Sequence, residues 1–179
     1  IFPWKRPLRD TLGPLNHAHH VGMKLGDAEF GGLCANLHKF SSLDCGVPLN
    51  HIEAEWSSLQ ELLVTQRQLG TMRMSFPCIQ TVHHYMGRTE DPLSAKGDLV
   101  DFDEMLKFAI DNGLSSSIIA IRINRMTLAY IFNDYTLASS FAEIAVKEMW
   151  SMPPTINSAV CLFFAALVNV AMAREGKQV

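Results

Sequence analysis

Apolar positions recur at helical spacing along almost the whole chain, and eight helices account for the pattern. A first is predicted over Pro7 to Leu25, with Gly26-Asp27 as its stop and the next start. A second runs from Asp27 to about Ser42 and ends near Gly46. A third covers Leu49 to Leu69, where Ile52, Trp56, Leu59 and Leu63 share one helix face and Gly70 suits the C-terminal cap. A fourth covers Met72 to Met86 with Pro77 inside it, which predicts a kink or a late start. The segment 87–100 holds Gly87, Pro92 and Gly97 and reads as a loop, the best candidate for a mobile or inserted stretch.

Asp101 followed by Glu104 has capping-box spacing and opens a fifth helix with an apolar stripe of Phe102, Met105, Leu106, Ala109 and Ile110. Ser115 or Ser116 is expected to cap a sixth reaching Phe132. Its run Ile118, Ile119, Ile121 and Ile123 also suits a strand, but the apolar pattern outlasts strand length. Tyr135, Ala138, Ala142, Ala145 and Met149 line a seventh. After Met152-Pro153-Pro154, Thr155 caps an eighth that reaches Arg174-Glu175. In that helix Ala159 to Ala173 is apolar except for Asn169. The stretch falls short of the ~20 apolar residues that span a bilayer, so a buried helix and no membrane span are expected.

The composition agrees. In 179 residues, 48% are hydrophobic and 18% charged, which excludes disorder. A net charge of −3 leaves no basic excess to neutralise a phosphate backbone, so nucleic acid is not an expected partner. Cys34, Cys45, Cys78 and Cys161 are widely spaced and suit buried thiols in a reducing compartment. Trp56 and Trp150 are expected packing anchors, and Trp4 is expected to meet helices beyond Ile1. The first residue, not a methionine, and the apolar eighth helix near Val179 are read as those of an internal piece of a longer chain.

The fold expected is therefore all-α, a single region 1–179 of stacked antiparallel helix pairs. The best comparison is the tetratricopeptide repeat. Asp134-Tyr135, then Ala138, then Ala145 and a proline at Pro153 resemble that family's small-residue spacing, which lets paired helices approach closely. A second resemblance rests on Trp4-Lys5-Arg6-Pro7-Leu8, then Gly22-Met23-x-x-Gly26-Asp27-x-Glu29-Phe30, then Gly46-x-Pro48-Leu49. In this order they resemble the tetratricopeptide-like helical region of very large signalling ATPases. There such a region lies between an NTPase module and C-terminal output domains, with a protein-kinase-like domain often N-terminal and GAF and PAS sensors with a histidine kinase or nucleotide cyclase following. The resemblance implies a cytoplasmic, non-catalytic scaffold or sensor whose partners are proteins or neighbouring domains. The alternatives are an independent peptide-binding module and a helical metal-dependent enzyme.

Residues that could carry chemistry are few. His17 and His20 share a helix face, with His19 beside them, and His83-His84 end the fourth helix. A His-x-x-His pair supplies only two of the three or four ligands that zinc needs. Asp98, Asp101, Asp103 and Glu104 form an acidic cluster whose spacing fits neither an EF-hand loop nor an Asp-Asp-x-x-Asp motif; a helix N-terminus favours such residues. Cys34, with His38 four residues on, and Cys78 are candidate redox thiols. Met72, Met74, Met105, Met126 and Met149 suit either a core or an adaptable peptide groove. Lys96-Gly97 and Gly176-Lys177 lack the strand and glycine spacing of a phosphate loop. No catalytic, cofactor-binding or metal-ligating residue is assigned, and no cofactor is expected.

Overall fold

The computed structural model describes residues 5–151 and 156–176. Trp4, the Pro153-Pro154 break and the Thr155 cap lie outside them. Among the described residues the chain is all-helical, with eight α-helices: α1 (Leu12–Lys24), α2 (Ala28–Asp44), α3 (Leu49–Thr65), α4 (Leu69–Tyr85), α5 (Phe102–Asp111), α6 (Ser115–Ile131), α7 (Tyr135–Glu148) and α8 (Ile156–Arg174). They belong to two compact units, 1–82 and 83–179, and the division falls inside α4.

Local chemistry explains most boundaries. The first predicted helix is split: Leu8–Thr11 forms a tighter 3-10 turn before α1. Pro14 has no N–H to give, so regular α-helical bonding starts only beyond it. Asp27, Asp101 and Asp134 each cap the helix that follows, accepting from Phe30 N at 3.2 Å, from Asp103 N at 2.8 Å and from Leu137 N at 2.9 Å. Gly26 takes a φ of +80° at the end of α1.

Three expectations are corrected. Gly70 does not cap α3. The helix stops at Thr65, Arg67 takes the left-handed conformation (φ 55°), and Gln68 N closes on Leu63 O at 2.8 Å, so α4 begins at Leu69 with Gly70 inside it. Ser115 and Ser116 do not cap α6. Leu114 holds the cap position without a side-chain bond, its own N–H returning to Ala109 O at 2.9 Å. Trp150 is no anchor: it is 77% exposed on the short 3-10 turn after α7.

In the first unit, Ala35, Leu59 and Leu63 form a buried cluster with Met72 packed on it. Trp56 is buried, donates from Nε1 to Ser75 Oγ at 3.0 Å and lies 6.0 Å from the Phe76 ring. Here α1 and α2 come together through glycine. A Cβ on Gly22 would sit 2.9 Å from Gly31 Cα and 3.0 Å from Gly31 N.

In the second unit α6 is central. Ile119, Ile123, Met126 and Ala129 join Ala138, Ala142 and Ala145 of α7 and Cys161, Ala165, Val168 and Met172 of α8 in one core. Ile121 and Leu128 of α6 join Phe102 in another. A helix buried on two faces explains why Ile119, Ile121 and Ile123 mimic the alternation of a strand. The alanines of α7 fill the close spaces that their spacing implied: Ala138 and Ala145 are fully buried. Replacing Asp134 by alanine is expected to lower the stability of this unit by about 1 kcal/mol through loss of the α7 cap, with Asp134→Ser close to wild type; denaturant midpoints check this.

The eighth helix departs from expectation. It is 19 residues long, long and apolar enough by length and composition to cross a membrane, and only 22% of its apolar window is buried. One face packs on α7 and α6, and the rest is open in the described structure.

Candidate functional site

In the second unit, polar and titratable side chains gather where α4 ends. Both histidines there are buried: His83 is 5% exposed and His84 1%. His83 Nδ1 donates to Asp98 Oδ2 at 2.7 Å. His84 Nδ1 pairs with Thr89 Oγ1 at 2.9 Å, its ring stacks on Phe102 with centroids 5.7 Å apart, and its Nε2 is buried with no hydrogen-bond partner. The same Phe102 ring carries the Arg125 guanidinium 5.6 Å from its centroid, and Phe141 lies 5.2 Å from the guanidinium on another side. Burial lowers the pKa of His84 below the ordinary imidazole value, and the nearby Arg125 charge adds to this; Asp98 and Asp91 oppose it. Burial also lowers that of Arg125, against the attraction of Asp103, Asp101 and Asp91.

Local sequence builds this arrangement only in part. The segment after α4 folds back through Ser94 N to Asp91 O at 3.2 Å, Gly97 N to Val100 O at 2.9 Å and Phe102 N to Ala95 O at 2.9 Å, with an isolated bridge between Lys96 and Asp101. Leu93 packs on the main core and Ala95 on the Phe102 cluster. The segment read as a loop is thus pinned by the two histidines at the end of α4. Chemically, the site holds a cation on aromatic faces and a strap of chain on two imidazoles.

The other candidates are dispersed. His17 and His20 are exposed, whereas His19 Nδ1 donates to Gly31 O at 2.8 Å. Among the described residues, His, Cys, Asp and Glu gather in no group of three able to hold a metal ion. Asp98 serves His83 while Asp101 caps α5, so the acidic cluster is divided between two structural tasks. Cys78 is buried and its thiol is pushed up to about 12 by burial, the opposite of what thiolate chemistry needs. Cys34 and Cys45 are half-buried rather than buried, and all four cysteines are free thiols. His38 turns toward Glu55, 3.7 Å away, and Glu55 also accepts from the buried Lys39 at 2.8 Å. Burial raises the pKa of Glu55, but the Lys39 hydrogen bond and charge outweigh it and leave the carboxyl below its usual value.

Reading the sequence alone missed Thr89, Arg125 and Phe141. A signal for Arg125 existed: it and Arg122 stand three apart inside the apolar run of α6, where a charge needs a reason. Arg122 pairs with Glu148 of α7. The glycines and caps behind the signalling-ATPase resemblance are likewise explained locally. Gly22 permits the α1–α2 contact, Gly26 turns the chain, Asp27 caps α2, and Pro48 precedes the first residue of α3. No family model matches the chain, and neither does any curated protein or solved structure.

Proposed function

We propose that the chain is a non-catalytic helical scaffold or sensor segment of a large cytoplasmic signalling ATPase or kinase, acting through contacts with proteins or neighbouring domains. The family resemblance of the glycine and proline motifs suggests the setting. The observation that carries the contact role is the outer face of α8. From Ile156 to Ala173 the helix has no charged residue, and Leu162, Phe163 and Val170 are 45%, 60% and 50% exposed along one side with Ala166, Asn169 and Ala173. Apolar surface of this kind, left open at the end of a helical stack, is what a stacked architecture presents to the next element. In such a segment a ligand that favours one curvature biases the attached output domain by shifting the conformational population.

The complete reading frame tests the setting. An NTPase, protein-kinase-like, GAF or PAS module beside this region is the expected result, and none at all would overturn it. The face itself is tested by the triple variant Leu162→Lys, Phe163→Lys, Val170→Lys. Stability should fall by no more than about 1.5 kcal/mol, about 0.5 kcal/mol for each of three side chains outside the core. Binding of the adjoining module, followed by titration calorimetry with the two parts as separate chains, should weaken at least about 30-fold, as loss of a buried aromatic anchor does at an interface. Unchanged affinity would remove α8 from the contact.

A further inference from the structure

We propose that His84 is a proton-sensitive latch: in its neutral form it holds the strap 86–101 in place within the second unit, and protonation of its ring releases the strap. The geometry leaves the imidazolium no place. His84 is 1% exposed and has one hydrogen-bond partner, the Thr89 hydroxyl on the strap itself. The neutral tautomer with its proton on Nδ1 is accommodated: it donates to the Thr89 hydroxyl and leaves a bare Nε2 facing the buried surroundings. The protonated ring carries N–H at both nitrogens. Thr89 must then accept, and Nε2–H points at buried surroundings without an acceptor.

The groups facing the ring come from every element packed on it. Its own helix supplies His83. The strap supplies Asp91, Asp98 and Thr89. The fifth helix supplies the uncharged Phe102, and α6 supplies the Arg125 cation. The two carboxylates favour an imidazolium, but Asp98 already accepts from His83 and both aspartates are exposed, so solvent screens them. Burial and Arg125 act on the ring from the closed side and win, in keeping with the lowered pKa of His84.

The open form takes up a proton near the ordinary histidine pKa of ~6.5, whereas the latched form resists it to lower pH. As pH falls through that window, the open form binds more protons and gains population, by about tenfold for each pH unit until the latched ring also titrates. Release is local because the strap adds few side chains to the cores, Leu93 and Ala95 among them, while α6, α7 and α8 share a large buried cluster. Opening uncovers Leu93 and one side of Phe102.

Amide hydrogen exchange on the full chain at pH 7.5 and 5.5, corrected for intrinsic exchange, tests the latch. Protection of the Gly97 and Phe102 amides should fall several-fold more, up to about tenfold, than that of the Met126 and Ala129 amides in α6. In His84→Gln, which keeps hydrogen-bonding capacity without the titration, the two sets should change together. The proposal is overturned if strap protection in the wild-type chain is independent of pH, if α6 loses protection in parallel, or if His84→Gln behaves as wild type. Should that variant not fold, ring NMR of the wild-type chain decides: the midpoint of strap opening must follow the titration of the His84 ring, and a midpoint that does not follow it rejects the latch.

Discussion

Phe102→Ala should destabilise the second unit by about 3–5 kcal/mol, the range for truncating a buried aromatic ring. Phe102 is 1% exposed and joins Ile121 and Leu128, with Met105, Leu106 and Phe132 packed around them. Its ring is also the surface on which His84 stacks and over which Arg125 lies. Truncation therefore leaves a cavity and removes the aromatic face from a buried imidazole and a half-buried guanidinium in one step. Phe102→Leu keeps most of the volume but not the π-face. It should cost less than half as much, and the remaining deficit measures the ring contacts. Denaturant unfolding followed by circular dichroism gives both numbers. A cost for Phe102→Ala near that of a surface substitution, within about 0.5 kcal/mol, would show that the ring is not the keystone of this cluster.

Gly22→Val should cost about 3 kcal/mol, at the upper end of the overpacking range, and should act on the first unit. The reason is which atoms the new side chain would meet. A Cβ at Gly22 falls 2.9 Å from Gly31 Cα, 3.0 Å from Gly31 N and 3.2 Å from Asp27 O, all of them backbone. No rotamer change relieves such contacts, so α1 and α2 must separate, and His19 then loses its bond to Gly31 O. Gly13→Ala, on the same helix with nothing within 4 Å of the added methyl, is the control and should be neutral or slightly stabilising. Thermal melts should separate the two variants by more than about 10 °C for a unit of this size.

Much of the fold is legible because its cues are local. Ile52, Trp56, Leu59 and Leu63 mark the buried face of α3 by spacing alone, and all four are buried. Asp27 and Asp101 announce helix starts because a carboxylate two or three residues from a free N–H acts regardless of what surrounds it. Where a cue depended on competition between neighbours, it misled. Gly70 is the better residue for a left-handed cap, yet it is Arg67 that takes that conformation, and Gly70 lies inside α4. The outward face of α8 was hidden for a different reason: an apolar sequence tells how much surface avoids water, not which side a neighbour covers.

The candidate site marks the same divide. That His83 and His84 end a helix, and that a glycine-rich segment with aspartates follows, is written in the order of the residues. That Asp98 meets His83, that Thr89 meets His84, and that Arg125 shares the ring of Phe102 is decided only when the strap folds back across α5 and α6. Helical periodicity, caps and turns depend on atoms a few residues apart, so sequence alone determined the all-α class and most helix limits. Burial of a charge or an imidazole depends on which distant surfaces exclude water around it, and only the tertiary structure decided that.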